Sequence, residues 1–319
     1  MAALAIMALA APATAAPGRG RSHDRAPGPA VRCASAEPEQ LTVRVPTSAG
    51  LRITDNHVEV LLPSRYCRAG ERFPVLYLLH GTGDTYRSWL AQTDLARVAA
   101  SYQIIVVMPD AGHGPQAGWY SDWRDGSYQW ETYETSVLPS YINSHFRTLA
   151  RDLAVAGNSM GGFGALSLAA RHPGMFRAAA SFSGAVDTLY GAPASGVAFA
   201  ELHDRYGTPD SQIWGDQSAD QAVWAAHNPT SLAAKLKGVT ILLASGTGTP
   251  GGPQGDAPAD PGDYFLENGI FQMNLSLVRA LDAAGVAHSD RFYTGGYHGW
   301  PYWQADLHWA LPQIARALH

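Results

Sequence analysis

Cysteine is scarce in this sequence, with two residues, Cys33 and Cys67, among 319. Two cysteines exclude a disulfide-dense scaffold and a zinc site built from cysteine alone. Positive charge is also in short supply, because 22 lysines and arginines stand against 27 acidic residues, for a net charge of −5. Without a basic excess, the chain lacks the electrostatic footprint of a nucleic-acid-binding protein. Hydrophobic residues make up 46% of the chain, which is enough to fill a large core and excludes extensive disorder.

Hydrophobic stretches of membrane-spanning length are missing, which argues against stable membrane insertion. The most apolar segment, residues 1–16, is too short to cross a bilayer and ends in Ala13-Thr14-Ala15, a small-residue pattern typical of signal-peptide cleavage. We therefore expect a signal peptide over residues 1–16, a flexible leader over residues 17–40, and secretion. A disordered alanine-rich tail is the alternative interpretation.

The two cysteines acquire a role in an exported protein. A lone pair in an oxidising compartment usually forms one disulfide, so we predict a Cys33–Cys67 bond that ties the leader to the first strands. Two free, buried thiols are the alternative.

Apolar segments alternate with helical patterns along most of the chain. Continuous apolar runs, as in strands covered on both faces, occur at 73–79, 104–108, 153–156, 178–182 and 239–244. Helical periodicity lies between and after these runs, at about 87–100, 131–146, 161–171, 265–284 and 302–317. The alternation predicts an α/β protein with a mostly parallel central sheet and helices on both faces. No interior linker separates two cores, so we expect one domain over residues 41–319.

The segment from Gly157 to Gly161 matches the G-x-S-x-G pattern and stands between a predicted strand and a predicted helix. The pattern alone is weak in a chain with 33 glycines, but its strand–turn–helix context makes it specific. Such a turn holds the serine in a strained conformation, and the glycines let neighbouring backbone pass close by. Ser159 is therefore predicted to be an exposed nucleophile. A tight glycine turn, with or without a bound phosphate, is the alternative.

A serine hydroxyl needs a base, and after an elbow of this type the acid and then the histidine follow along the chain. Four of the twelve histidines lie beyond the last long loop: His288, His298, His308 and His319. His288 begins the final predicted strand, His308 lies in the last helix, and His319 ends the sequence. His298 lies in a glycine-rich loop directly after the final strand, from where it can reach Ser159. We predict that His298 is the base.

The acid that orients His298 should follow the strand at 239–244. Spacing does not choose among four carboxylates on or after the same loop: Asp256, Asp260, Asp263 and Glu267. An oxyanion hole also needs backbone N–H donors aimed at the developing charge. Met160, directly after the nucleophile, is expected to supply one donor. Thr82, in the loop after the strand at 73–79, is expected to supply the other, with His80 shaping that loop.

Six segments together carry a family resemblance: Leu78–Gly81, Trp119–Trp123, Gly157–Gly162, Gly248–Pro250, Phe265–Glu267 and His298–Trp303. Over about residues 50–315 the chain resembles the esterase D-like branch of the α/β-hydrolases, which holds S-formylglutathione hydrolases, feruloyl esterases and antigen 85-type mycolyltransferases. The resemblance implies the α/β-hydrolase fold. The last three segments are most similar to the antigen 85 group.

The resemblance also bears on the acid. In the antigen 85 group the acid is a glutamate directly after Phe-Leu, which corresponds to Glu267. In S-formylglutathione hydrolases it is an aspartate shortly before Phe-Leu, which corresponds to Asp263. The resemblance favours Glu267. In the oxyanion loop the chain departs from the mycolyltransferases, which carry Asp-Gly followed by an arginine. Here His80 stands at the aspartate position and Thr82-Gly83-Asp84 contains no arginine, whereas esterase members carry His-Gly there.

These features together predict a secreted serine carboxylesterase that acts through Ser159, His298 and Glu267 and an acyl-enzyme intermediate. The expected substrate is a small-molecule, lipid or polysaccharide-linked ester, and no metal or organic cofactor is expected. The nearest alternative is an acyltransferase that passes the acyl group to a sugar or glycerol hydroxyl. A non-catalytic wall- or matrix-binding protein is the alternative from another class. Trp119, Trp123 and Trp300 are predicted to line the substrate pocket, with core packing as the alternative.

Overall fold

Apolar strands build one sheet in the computed structural model of the chain. The strands β1 to β8 are Glu39–Arg44, His57–Leu62, Phe73–Leu79, Ile105–Pro109, Thr148–Asn158, Ala178–Phe182, Thr240–Gly246 and His288–Tyr293. Their order across the sheet is β1-β2-β4-β3-β5-β6-β7-β8. β2 pairs antiparallel with β1 and β4, whereas all pairs from β4 through β3 to β8 are parallel. The predicted mostly parallel sheet is confirmed.

The structure describes residues 39–68, 70–191, 207, 210–256 and 259–319. The predicted signal peptide (1–16), nearly all of the predicted leader (17–40) and Cys33 lie outside these residues. The Cys33–Cys67 disulfide therefore stays a prediction.

Helices cover both faces of the sheet. In the described residues, the α-helices α1 to α9 are Ser88–Gln92, Leu95–Ala99, Trp130–Thr132, Leu138–His145, Met160–Arg171, Asp210–Trp214, Gln221–His227, Pro261–Ala283 and Trp300–Leu318. Along β3, Val75 and Tyr77 belong to one core cluster with side chains of α5 and α8. Leu76 and Leu78 point to the opposite face and pack with α1, α2 and α9. Burial on both faces explains why the interior strands β3, β4 and β6 are buried and mainly apolar along their whole length rather than alternating.

Two predicted helices are interrupted. The helix expected over 87–100 is two short helices, because Thr93 is extended and its hydroxyl both donates to Trp89 O and accepts from Leu95 N. The helix expected over 131–146 contains a π-helical segment, Tyr133–Val137, between α3 and α4. Pro139 follows this segment in the first turn of α4 and lacks the N–H that a regular helix would use there.

The helix expected from residue 265 begins earlier, at Pro261. Asp260 is its N-cap and accepts from the N–H groups of Gly262 and Asp263, while the Asp263 side chain accepts from Asp260 N, forming a capping box. The connection between β7 and α8 therefore spans residues 247–260. Glu267, which lies inside the predicted helix as well, is the seventh residue of α8 and so belongs to its second turn.

Candidate active site

The turn from β5 into α5 holds Ser159 in a strained conformation. Ser159 is the N-cap residue of α5 and has φ 52° and ψ −119°, a region that non-glycine residues rarely adopt. The flanking glycines are required by close packing. A Cβ on Gly157 would lie 2.5 Å from the backbone of Gly161, and one on Gly161 would lie 2.6 Å from Leu79 O. This geometry lifts the Ser159 side chain out of the strand–helix junction, and the residue lines a pocket.

His298 reaches Ser159 from the loop between β8 and α9. The distance between His298 Nε2 and Ser159 Oγ is 2.9 Å. The loop is held by a hydrogen bond from His298 N to Asp263 O at 3.2 Å. The imidazole also packs edge-on against Trp303, with 5.0 Å between ring centroids. The ring nitrogen is thus placed to take the serine proton.

Glu267 lies on the other side of the imidazole and is fully buried. Its Oε2 is 2.8 Å from His298 Nδ1. A carboxylate can only accept, so the imidazole proton lies on Nδ1 and Nε2 is left to accept from Ser159 Oγ. The second oxygen, Oε1, accepts from Ser183 Oγ at 2.8 Å, Ser245 Oγ at 2.9 Å and Gly246 N at 2.8 Å. These three hydrogen bonds hold the Glu267 carboxylate in place, and the carboxylate in turn holds the His298 imidazole in its orientation.

The other acidic candidates have different partners. Asp256 accepts from Gly251 N and the Tyr264 hydroxyl, and Asp260 and Asp263 cap α8 as described above. Among the four candidate acids, the structure brings the Glu267 carboxylate to the imidazole of His298.

The loop after β3 is shaped by His80, which is 1% exposed. Its Nε2 accepts from Ala111 N at 2.9 Å, so Nδ1 carries the proton and donates to Gly81 O at 2.8 Å. The Tyr120 hydroxyl clamps the same residue, accepting from His80 N at 2.9 Å and donating to His80 O at 3.0 Å. With both nitrogens engaged in the loop, His80 has the structural place predicted for it.

Two backbone N–H groups remain available beside Ser159. Thr82 lines the same pocket as Ser159, and Thr82 O accepts from Gly114 N at 3.0 Å, which holds the loop. Met160 is the first residue of α5. Within the described residues, no hydrogen bond engages the N–H of Thr82 or of Met160. Both donors are therefore free for an oxyanion.

The pocket beside Ser159 has a volume of about 290 Å³. Its walls are formed by Gly81, Thr82, Gly83, Asp84, Ser159, Asp263, Leu266, His298, Gly299, Trp300 and Trp303. Trp300 therefore lies where it was predicted, on the pocket wall. It packs edge-on against Trp303, with 5.1 Å between the ring centroids.

The prediction that Trp119 and Trp123 line the pocket is wrong, because both side chains belong to the core. They are 2% and 4% exposed, and neither is among the residues that form the pocket wall. Trp119 packs edge-on against Phe163 and Trp214. The Trp123 indole donates to Gly118 O at 3.2 Å. This aromatic segment contacts the loop after β3 through the Tyr120 hydroxyl.

Comparison with known proteins identifies the family. Residues 53–314 match the family model named Esterase. The chain belongs to the esterase family.

Curated relatives of this esterase-family protein include both hydrolases and acyltransferases by name. Esterase Rv1288 of Mycobacterium tuberculosis is 35% identical over 253 residues, covering 75% of this chain and 52% of that protein. The chain thus spans about half the length of this relative. Diacylglycerol acyltransferase/mycolyltransferase Ag85B of Mycobacterium intracellulare is 32% identical over 263 residues, covering 78% of this chain and 77% of that protein.

Solved structures agree on the fold. MPT51 of Mycobacterium tuberculosis superposes with a TM-score of 0.71 at 24% identity, covering 88% of this chain and 99% of that chain. An S-formylglutathione hydrolase from Agrobacterium tumefaciens gives 0.69 at 22% identity, covering 89% and 97%. The predicted α/β-hydrolase fold and the resemblance to its esterase D-like and antigen 85 branch are confirmed.

Three polar residues around the site were not foreseen in the sequence: Asp84, Ser183 and Ser245. Ser183 follows β6 and Ser245 lies in β7, two neighbouring parallel strands that end at the same edge of the sheet. Position at adjacent strand ends is the signal that could have singled out the serines. The position of Asp84 gives no such signal, because Asp84 lies in a turn five residues beyond the end of β3 and not at a strand end.

No group of three or more His, Cys, Asp and Glu side chains in the described residues is arranged to hold a metal ion. None of the described helices is long and apolar enough to cross a membrane.

Proposed function

We propose that the protein is a serine carboxylesterase with Ser159 as nucleophile, His298 as base and Glu267 as the acid that orients the base. The observation that supports this proposal is the continuous hydrogen-bonded path from Ser159 Oγ through both ring nitrogens of His298 to Glu267, with distances of 2.9 and 2.8 Å. Family membership and similarity to proteins named as esterases support the same chemistry.

Acylation begins when His298 Nε2 takes the proton of Ser159 and Oγ attacks the carbonyl carbon of the ester. The carbonyl oxygen becomes an oxyanion, which the N–H groups of Met160 and Thr82 stabilise. Glu267 stabilises the imidazolium formed on His298. The imidazolium then gives its Nε2 proton to the leaving alkoxide, the C–O bond breaks, and the acyl group remains on Ser159 as an ester.

Deacylation repeats these steps with water. His298 Nε2 takes a proton from water, the hydroxide attacks the acyl carbon, and the same two N–H groups hold the second oxyanion. Collapse of this intermediate breaks the bond to Ser159 Oγ, which recovers its proton from His298. The carboxylic acid leaves and the enzyme is restored.

A p-nitrophenyl butyrate assay with intact-protein mass spectrometry tests this proposal. Wild type should release p-nitrophenol and carry a butyryl group early in turnover, whereas Ser159→Ala should do neither. Ser144→Ala, which removes an equivalent hydroxyl on α4, serves as the matched control. Equal turnover by wild type and Ser159→Ala would refute the assignment of Ser159.

Acyl transfer is the second candidate, because relatives about as similar as the esterases are named diacylglycerol acyltransferase/mycolyltransferase. The same acyl-enzyme would then be attacked by a sugar or glycerol hydroxyl in place of water. Hydrolysis is favoured because the loop carries His80-Gly81, as the esterase members do, and residues 82–84 contain no arginine. Added trehalose or glycerol should leave the yield of free acid unchanged in an esterase and divert it to a new ester in a transferase.

We further propose that residues 41–319 form one catalytic domain, exported by a signal peptide over residues 1–16 and tied to its leader by a Cys33–Cys67 disulfide. The sequence patterns described above support these assignments. N-terminal sequencing of protein recovered from culture medium tests the cleavage. Thiol titration of denatured, unreduced protein tests the bond, and two reactive thiols would exclude it.

A further inference from the structure

The charged side chains of the pocket are of one sign. Apart from His298, they are the carboxylates of Asp84 and Asp263, and no lysine or arginine lines the pocket in the part of the chain that the structure describes. The remaining side chains of the wall are small, apolar or aromatic. A substrate entering the pocket therefore meets negative charge and apolar surface.

Asp84 is held at a fixed place on the wall of the pocket that Ser159 also lines. Its backbone N–H donates to Gly81 O at 3.1 Å, closing a turn around Thr82. Its Oδ2 accepts from Gly81 N at 3.2 Å and from Asn158 Nδ2 at 3.4 Å. Gly81 directly precedes Thr82 and Asn158 directly precedes Ser159, so the carboxylate joins the oxyanion loop to the nucleophile turn.

The cation nearest to Asp84 along the chain has other partners. Arg87 lies over the ring of Tyr86 and has its Nε 3.9 Å from Glu59 Oε1. No ion pair of Asp84 occurs among the described residues. Its charge is therefore offset by hydrogen bonds to two neutral donors and not by a positive side chain.

A fixed negative charge discriminates between substrates by their own charge. An anionic group bound next to the scissile carbonyl is repelled, a neutral group is unaffected, and a cationic group is attracted. Trp300 and Trp303 add aromatic surface on which a cation can also be held.

We propose that Asp84 is a specificity-determining residue that restricts the site to neutral and cationic esters and rejects esters with a negative charge beside the scissile carbonyl. This inference rests on the proposed esterase function. It places glutathione thioesters, which carry two carboxylates, in the disfavoured class.

Two series of esters, each with a cationic, a neutral and an anionic member, test the proposal. The first varies the alcohol: butyrylcholine, its neutral isostere 3,3-dimethylbutyl butyrate, and the butyryl ester of 3-hydroxypropanoate. The second varies the acyl group of p-nitrophenyl esters: trimethylammoniobutyrate, valerate and hemisuccinate. For wild type, kcat/KM in at least one series should rank cation, then neutral, then anion, with the anion at least about tenfold below the neutral ester. High salt should compress this ranking.

Three variants assign the effect to a residue. Asp84→Asn keeps an acceptor for Gly81 N but removes the charge, so the anion-to-neutral ratio of kcat/KM should rise about tenfold. Using the ratio cancels any general loss of activity caused by the loop. Asp84→Glu should keep the ranking. Asp282→Asn removes one negative charge from the far end of the same helix that carries Asp263, and it should leave the ratio unchanged.

The outcomes are separable. If wild type hydrolyses the neutral esters in a Ser159-dependent way but accepts the anionic esters equally well in both series, the charge selectivity is wrong and the esterase function stands. An unchanged ratio in Asp84→Asn would likewise overturn the role of Asp84. If the neutral esters are not hydrolysed at all, the esterase function itself fails, and the inference fails with it.

Discussion

The hydroxyl of Ser183 donates to Glu267 Oε1 across 2.8 Å, although the two residues are 84 positions apart in the chain. Ser183 adopts a φ of 48° directly after β6, a conformation that is costly for serine. Ser245 Oγ and Gly246 N, from the end of β7, complete the contacts of the same oxygen. Two adjacent strand ends thus hold an acid that is supplied by a helix.

Removing this support should lower activity more than stability. Ser183→Ala takes one hydrogen bond from the buried carboxylate of Glu267, which should let it rotate away from His298 Nδ1. We expect kcat with p-nitrophenyl butyrate to fall about tenfold for Ser183→Ala and further for the double variant with Ser245→Ala. The pH dependence of kcat/KM should shift as well, because the charge that stabilises the imidazolium moves.

Ser167→Ala is the matched control for this prediction. Ser167 is also a buried serine, and its hydroxyl donates to His227 O at 2.7 Å on the far part of α5. Its loss should lower the melting temperature by an amount similar to that of Ser183→Ala and leave kcat unchanged. Equal effects of both variants on kcat would show that Ser183 acts only through stability.

The identity of the acid can be tested by comparing Glu267→Gln with Asp263→Asn. A glutamine amide can donate to Nδ1 and favour the tautomer that protonates Nε2, the nitrogen that must accept from Ser159. Glu267→Gln should therefore lose about a thousandfold or more in kcat. Asp263→Asn disturbs the capping box of α8 and should lose less than about tenfold. A larger loss in Asp263→Asn would reverse the assignment.

The contrast between Ser159 and Glu267 shows how far sequence reasoning reaches. Ser159 and His298 follow from local signals, because an elbow pattern and a loop after the final strand determine where each side chain lies. The acid remained one of four carboxylates until a family resemblance favoured Glu267. The reason is physical: Glu267 and His298 are 31 positions apart, and their contact depends on how α8 packs against the loop that carries His298, which spacing along the chain does not specify.

The aromatic segment at Trp119 was the part of the site for which the sequence pattern gave a wrong prediction. Its composition suits a pocket wall and a core equally well, and only the tertiary structure reveals that Tyr120 clamps His80 while its neighbours are buried. The role of Ser183 could not be predicted from the sequence for a related reason, since its hydrogen bond to Glu267 joins residues far apart in the chain. The mostly parallel sheet and its burial on both faces, in contrast, follow directly from continuous apolar strands.

The oxyanion loop should depend on His80. Replacing it by alanine leaves the N–H of Ala111 without its buried acceptor, which costs about 1–3 kcal/mol of unfolding free energy. The loop that carries Thr82 N–H would also lose its anchor, so kcat should fall without a change in the pKa values of the pH–rate profile. Thermal unfolding and a pH–rate profile of His80→Ala check both parts. A displaced pKa in the profile would instead indicate that His80 exchanges protons during turnover.

Stability in acid should depend on Glu131, a buried carboxylate that joins α5 to its neighbours. Its Oε1 accepts from Arg171 Nε at 2.9 Å and lies 2.8 Å from His172 Nε2. Burial alone would raise the pKa of Glu131, but the hydrogen bonds from His172 and Arg171 and the charge of Arg171 outweigh it and lower the pKa from 4.5 to about 2.

The direction of the pH effect follows from that lowered pKa. Because the folded protein binds the proton of Glu131 more weakly than the unfolded chain, this group stabilises the fold above about pH 4.5, and the contribution is lost as the pH falls toward 2. Glu131→Gln lacks the contribution at every pH. The difference in unfolding free energy between wild type and variant should be at most about 3 kcal/mol at neutral pH and should shrink through this window.

Urea denaturation across a pH series measures this difference. Glu71→Gln provides the comparison, because Glu71 pairs with Arg65 at the surface, where such ion pairs contribute little. Its difference from wild type should stay small at all pH values. A Glu131→Gln difference that persists undiminished below pH 3 would mean that Glu131 stabilises the fold through packing, since protonation would then remove nothing from the wild type.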